Sequence, residues 1–390
     1  MVPMENDKRK ENSCGSVSAS QRSLRIVIAG GGTGGHLFPG ISMAQEFMAR
    51  NPNSHILFVG TGKPFELSIL SETGFNHQRI TAEGIKGRRF RERALSVPKI
   101  PKGVLESLFI LKRFKPDIVI GVGGYAAGPL VIAAWLKGEK IVLHEQNILP
   151  GMTNRMLLRF AHRIYVSFDG TKIDARRDKI RFTGNPVRKE ILKCAQAQKF
   201  ASVSDVTTDQ PFNVMIIGGS QGAHSINMAF LQSIKHIEHK EKLFVVHQTG
   251  TKDEERVKKA YADHALSGTV RAFFNDMDRR YNDADLIICR AGATTVAEVT
   301  AMGKGAIFIP FPHAADNHQF LNARSLEASD AAELILEEDL NGKILAERIN
   351  FYASHREALQ QMALRAKELG RPNAASDIVD DCYELIESSI

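Results

Sequence analysis

Residues 25–36 read Arg-Ile-Val-Ile-Ala-Gly-Gly-Gly-Thr-Gly-Gly-His, and residues 213–224 read Asn-Val-Met-Ile-Ile-Gly-Gly-Ser-Gln-Gly-Ala-His. Laid over each other, the two stretches match in register. Each has a short β-branched run, paired glycines, a further glycine and a histidine. One strand–glycine–helix turn is common in any α/β protein. Two in register, near the starts of the two halves of a chain, predict two Rossmann-type units, each opening with a glycine loop.

The intervening sequence keeps the same rhythm. Apolar runs at His55–Gly60, Asp117–Gly121 and Lys140–Leu143 follow the first stretch, and Leu243–Gln248, Leu286–Cys289 and Ala306–Ile309 follow the second. A helical pattern runs from Pro39 to about Arg50. Strands alternating with helices predict parallel sheets covered on both faces. The sequence divides into a polar tail over 1–23, an N-terminal unit over 24–187, a C-terminal unit over 188–365, and a last helix within 366–390, which is expected to pack back on the first unit. Residues 196–210 are polar and read as a loop.

The chain has 390 residues and 43% hydrophobic residues, enough for two domain cores. Its longest apolar stretch, Tyr125–Leu136, falls short of the roughly 18 residues a spanning helix needs. Cys14, Cys194, Cys289 and Cys382 are scattered, with neither metal-ligand spacing nor a disulfide framework, which predicts a reducing compartment. The tail lacks the apolar segment of a secretory signal. A formal charge of +7 favours anionic partners, with no pattern that specifies nucleic acid.

Four segments gather polar chemistry at predicted strand ends. The first is Gly30–His36, whose glycines let backbone N–H groups approach an oxyanion. The second is Arg290-Ala291-Gly292-Ala293-Thr294-Thr295-Val296-Ala297-Glu298, where a turn opens a helix toward a diphosphate and Glu298 stands about one turn in. A plain capping arrangement also accounts for that segment. The third and fourth are His144-Glu145-Gln146-Asn147 and Asp316-Asn317-His318-Gln319, and either alone also reads as an exposed polar loop. A nicotinamide site wants an acid ending the second strand; Phe58-Val59-Gly60-Thr61 has none, which argues against a dehydrogenase. Asp276-Met277-Asp278 and Asp283-Ala284-Asp285 precede a strand instead of following one, so they read as solvated surface and no metal site is expected.

Together, Gly31–His36 with Pro39-Gly40, Gly121–Tyr125, His144–Asn147, Gly184–Arg188, Gly218–Gly222, Arg290–Glu298 and Asp316–Gln319 occur in the order of one family. Over residues 24–385 the chain resembles the MurG family of bacterial glycosyltransferases, which add N-acetylglucosamine to lipid I to make lipid II. The resemblance implies the GT-B fold, two Rossmann-like domains facing across a cleft, and an inverting, metal-independent and cofactor-free transfer. It implies UDP-N-acetylglucosamine as donor and lipid I, an undecaprenyl-diphosphate-linked sugar, as acceptor. It implies a base at His36 or Glu145. For the donor it implies Thr33, Gly34, Gly35, Asn147, Arg188, Ser220, the main chain of Phe274, the Ala293–Thr295 amides with Val296 and Ala297, Glu298 for ribose, and Gln319. Phe274 stands where the family more often has an aliphatic residue, a change that a main-chain contact tolerates.

The resemblance further implies a peripheral position on the cytoplasmic face of the inner membrane, with anionic lipids and other cell-wall synthesis proteins as partners. Residues 84–115 add a reading of their own: Arg88, Arg89, Arg91 and Arg93 lead a basic run interleaved with Ile85, Phe90, Leu105 and Phe109. Basic residues beside anionic lipid contribute about 1 kcal/mol each, and apolar neighbours can insert beneath them. With Tyr125, these form the predicted membrane and acceptor face. A transferase for another lipid-linked acceptor and a non-catalytic nucleotide-sugar sensor are the rival readings.

Overall fold

The computed structural model describes residues 22–83, 99–197, 211–219 and 221–388. Arg88, Arg89, Arg91, Arg93 and Ser220 lie outside the described residues, as does nearly all of the tail. Two parallel sheets carry the chain. The first holds β1 (Arg25–Ala29), β2 (His55–Gly60), β3 (Asn76–Arg79), β4 (Ile118–Gly121), β5 (Ile141–Glu145), β6 (Arg163–Val166) and β7 (Ile180–Phe182), in the order β3-β2-β1-β4-β5-β6-β7. The second holds β8 (Phe212–Ile217), β9 (Leu243–Gln248), β10 (Gly268–Arg271), β11 (Leu286–Cys289), β12 (Gly305–Phe308) and β13 (Glu333–Leu334), in the order β10-β9-β8-β11-β12-β13.

The near-continuous apolar runs of β1 and β8 follow from this position. Alternate residues point to opposite faces of a strand, and a central parallel strand has helices over both. Ile26 and Ile28 enter one core of the first unit, Val27 and Ala29 the other. Val214 and Ile216, against Met215 and Ile217, do the same in the second. Both sheets reverse strand order beside their opening strand, at β1/β4 and β8/β11. Ligands of open α/β sheets bind at the carboxyl ends of the strands flanking such a reversal. The glycine loops sit there.

The first helix begins earlier than the sequence suggests, spanning Gly34–Arg50 with Pro39 inside it. The loops after β1 and β4 touch: Gly124 has φ +77, and a Cβ there would meet the Gly31 carbonyl at 2.6 Å. Asp285 is half-buried, not solvated surface as the sequence suggested; it accepts from the Asn213 amide at 2.8 Å and lies 3.7 Å from Arg356. Burial pushes its pKa up, against the Asn213 bond and the charge of Arg356.

The chain crosses between the units twice, near Asn185 and near Gly370. The helix Arg356–Leu369 packs in the second unit through Leu359 and Met362. The helix Ala374–Glu387 returns to the first, where Ile378, Val379 and Cys382 join the core around Phe47. Arg50 bonds Ser376 at 2.6 Å and pairs with Asp380 at 2.9 Å, and the Tyr165 hydroxyl donates to Asp381 at 2.8 Å. Ile378 is 0% exposed. Ile378→Ala is therefore expected to destabilise the first unit by about 2–5 kcal/mol, the usual range for a buried aliphatic cut to alanine. Urea unfolding checks this; a loss under about 0.5 kcal/mol, the surface range, would show the last helix to be an appendage.

Candidate active site

The first wall of the cleft is built on Gly30–His36. Thr33, just before the helix Gly34–Arg50, is extended and exposed, and His36 stands in the first turn of that helix. The loop is held from behind by Glu66, 1% exposed. One Glu66 oxygen accepts from the Gly32 amide and the Thr61 hydroxyl, the other from the Thr61 and Gly62 amides at 3.0 and 2.8 Å. The sequence reading missed Glu66. Its signal was Lys63-Pro64-Phe65-Glu66, a proline and an acid in the first turn of a helix.

His36 Nδ1 lies 3.0 Å from Gln146 Oε1. Burial lowers the pKa of His36, opposed by the charge of Glu145 and the Gln146 bond, with His318 lowering it further. Glu145 itself is 2% exposed and fully engaged in its own loop. One oxygen accepts from the Asn147 amide at 3.0 Å; the other accepts from the Gly151 amide at 3.0 Å and the Asn154 side chain at 2.8 Å. These bonds brace the turn, and the charge of Glu145 acts on His36 through space.

The second wall starts at Gly218 and Gly219, after β8. Gln248 ties it together: its amide donates to the Gly219 carbonyl at 3.1 Å, and its oxygen accepts from the Phe274 amide at 3.0 Å. The Phe274 N–H is thus committed, and a uracil reading at this residue falls to the carbonyl. The Phe274 ring is buried beneath the Arg280 guanidinium, 4.9 Å from the ring centroid.

The helix Ala293–Met302 begins at Gly292. Its first-turn N–H groups lack intrahelical acceptors, and its dipole favours an anion at that end. Glu298 accepts from Arg188 Nε at 2.8 Å and from the Tyr281 hydroxyl at 3.1 Å, with its side chain 4% exposed. Burial opposes the charge on Arg188, but Glu298 outweighs it and raises the pKa. Arg188 also lies over the Phe38 ring at 4.9 Å, so this linker residue touches both units.

Further contacts close the units on each other, beside that of Arg188 with Phe38. Asn322, fully buried and unforeseen from sequence, donates to Asn147 Oδ1 at 3.1 Å and to the Ala291 carbonyl at 3.2 Å, and accepts from the Ile148 amide at 3.1 Å. Arg155 pairs with Asp316 at 2.9 Å. The Thr294 hydroxyl reaches the Gly35 carbonyl at 3.5 Å. That carbonyl lacks its helical donor because residue 39 is proline. Asp316 and Asn317 have φ of 53 and 56, a tight turn that delivers Gln319, whose oxygen accepts from the Phe311 amide at 2.9 Å.

The structure thus brings Thr33, Gly34, Gly35, His36 and Asn147 to one wall. Arg188, Ala293, Thr294, Thr295 and Glu298 stand at the other, with Gln319 beside the contact. Phe274 lies beyond Glu298, toward β10. Val296 is buried and Ala297 half-buried, and both line, with Ala293, Phe168 and Leu326, a cavity of about 360 Å³. Tyr125 is 47% exposed at the end of the loop after β4. Among the described residues there is no group of His, Cys, Asp and Glu arranged to hold a metal ion.

Two family models match the two units. Residues 26–166 match the glycosyltransferase family 28 N-terminal domain, and residues 213–378 its C-terminal domain. A protein of Syntrophus aciditrophicus is 45% identical over 366 residues, covering 93% of this chain and 99% of that one. Another, of Citrifermentans bemidjiense, is 44% identical over 357 residues, covering 91% and 98%. Both bear the name UDP-N-acetylglucosamine–N-acetylmuramyl-(pentapeptide) pyrophosphoryl-undecaprenol N-acetylglucosamine transferase. The crystal structure of Acinetobacter baumannii MurG superposes with a TM-score of 0.73 at 31% identity, covering 94% of this chain and 99% of that one.

The Arg188–Glu298 pair generates a stability test. Arg188→Met leaves a buried carboxylate without its cation, which costs about 3–5 kcal/mol. Urea unfolding near neutral pH should show that loss, and Arg188→Met with Glu298→Met should recover most of it. A single variant as stable as the parent would mean that the pair is solvent-screened.

Proposed function

The chain belongs to glycosyltransferase family 28, and we propose that it moves N-acetylglucosamine from UDP-N-acetylglucosamine to the C4 hydroxyl of the N-acetylmuramyl sugar of lipid I, giving lipid II. The MurG resemblance in its motifs agrees with the names its relatives bear. The observation that carries the chemistry is the Thr294–Gly35 approach at 3.5 Å, which joins the loop of His36 to the helix N-terminus of Ala293–Thr295.

The acceptor oxygen attacks the anomeric carbon as the bond to the UDP oxygen breaks, so configuration inverts. His36 takes the hydroxyl proton; its lowered pKa keeps it neutral, and therefore able to accept, near pH 7. The amides of Ala293, Thr294 and Thr295, with Ser220, take up the charge gathering on the leaving diphosphate. Glu298 holds the ribose diol: its two oxygens offer about four acceptor sites, so the Arg188 and Tyr281 bonds leave capacity. Arg188 sets that carboxylate, the Phe274 carbonyl meets uracil, and Asn147 and Gln319 meet the sugar. Thr33, Gly34 and Gly35 line the acceptor wall.

Among the described residues no helix is long and apolar enough to cross a membrane. We place the acceptor's lipid against an exposed apolar face instead. Leu105 and Phe109, 66% and 68% exposed, lie on the helix Lys99–Phe114, which packs against the helix Ala127–Leu136 carrying Trp135 and Leu136, 52% and 57% exposed. Lys102, Lys112, Arg113 and Lys137 are exposed around them. Such a face suits peripheral binding to anionic lipid at the cytoplasmic side of the membrane, with Arg88, Arg89, Arg91 and Arg93 adding charge and Tyr125 near the acceptor sugar.

Two measurements test these roles. His36→Ala should lower kcat by about 10²–10⁴-fold, the usual contribution of a positioned base, with the UDP-N-acetylglucosamine dissociation constant little changed. Unaltered turnover would remove His36 as base. Leu105→Ser with Phe109→Ser should weaken sedimentation with phosphatidylglycerol vesicles while transfer to a short-chain soluble acceptor persists. Undiminished vesicle binding would move the membrane face elsewhere.

A further inference from the structure

The amide of Gln146, 1% exposed, sits between His36 and the backbone. Its nitrogen lies 2.9 Å from the Val122 carbonyl and 3.2 Å from the His144 carbonyl. Carbonyl oxygens only accept, so the NH2 group must face them and Oε1 must face His36. An amide oxygen also only accepts. His36 Nδ1, 3.0 Å away, therefore carries the hydrogen, and the neutral ring keeps its lone pair on Nε2.

A second ring closes the chain. His144 Nδ1 lies 2.9 Å from the same amide nitrogen and accepts from it. Its Nε2 then carries hydrogen, facing the Gly184 carbonyl and the Ser167 hydroxyl at 3.4 Å each. Burial pushes the pKa of His144 down to about 4, so it stays neutral near pH 7. The ring fits because residue 123 is glycine: a Cβ there would come within 3.1 Å of Cε1 and 3.2 Å of Nδ1.

We propose that Gln146 is a positioning residue, whose buried amide, oriented by Val122 and His144, holds His36 as the Nδ1-protonated imidazole with its lone pair on Nε2. The proposal rests on the reading of His36 as the base. An imidazole of the other tautomer would present a hydrogen where the acceptor hydroxyl needs a lone pair.

The groups acting on His36 are Glu145 and the Val122 carbonyl, which favour its charged form, and His318, which disfavours it. The Gln146 bond also favours the charged form. Removing it lowers the His36 pKa, and because the base works when neutral, the acid limb of the kcat profile moves to lower pH.

The test is long-range proton–nitrogen NMR of the full-length enzyme with 15N-labelled imidazoles, the His36 signals being identified by their loss in His36→Gln. Near neutral pH the His36 pattern should be that of the Nδ1–H tautomer. Gln146→Met should relax it toward a tautomer mixture and lower kcat by about 10–100-fold, part of the roughly 10²–10⁴ a base supplies. KM for UDP-N-acetylglucosamine should stay near the parent value, and the acid limb should shift downward. An Nε2–H pattern in the parent enzyme overturns the proposal, as does a Gln146→Met enzyme with unchanged kcat and pH profile. If Gln146→Met does not fold, the parent spectrum decides. An Nδ1–H pattern together with full activity in His36→Gln would remove the base assignment while supporting the hold of Gln146 on the ring.

Discussion

A helix that starts at the carboxyl end of a parallel strand leaves its first N–H groups without partners, and its dipole adds positive character there. This protein makes that arrangement on both sides of one gap, after β1 and after β11, and brings the two within a hydrogen bond at Thr294 and Gly35. A diphosphate suits one side, and His36, the proposed base, stands on the other. The strand order, the glycine loops and the two chain crossings all serve to hold these ends face to face.

Buried carboxylates supply much of the bracing. Glu66 gathers amides behind the first glycine loop, Glu145 closes the turn after β5, and Glu298 locks Arg188 of the linker. Each is nearly solvent-free, so each must be satisfied by donors or raise the cost of folding. Glu145 also acts through its field on His36, and Glu298 keeps acceptor capacity for the ribose proposed there. Asn322 does for the two units what these carboxylates do within one, spending its amide on both sides of the gap.

The central strands were legible because burial on both faces leaves a continuous apolar run, as in Arg25–Ala29 and Asn213–Ile217. The edges were not. Asn76–Arg79 is wholly polar and mostly exposed, and Ile180–Phe182 is too short to show a period. The glycine loops and Arg290–Glu298 announced themselves through residue types tied to backbone geometry. Gln248 and Asn322 did not, because their partners are distant in sequence, as far as Asn147 is from Asn322, and Glu66 showed only as an acid in the first turn of a helix. His144–Asn147 stood out because four consecutive polar side chains at a strand end are costly without partners; Glu145 finds its partners inside its own loop, and Gln146 touches His36.

The central claim is that one gap holds a uridine diphosphate sugar on one wall and receives the acceptor hydroxyl from the other. The direct measurement is transfer of labelled sugar from UDP-N-acetylglucosamine to a lipid I analogue, followed by NMR of the new linkage. Label should appear in the lipid, with one UDP released for each sugar moved and an inverted anomeric centre. Binding of the nucleotide sugar without any transfer, or a product of retained configuration, would contradict it.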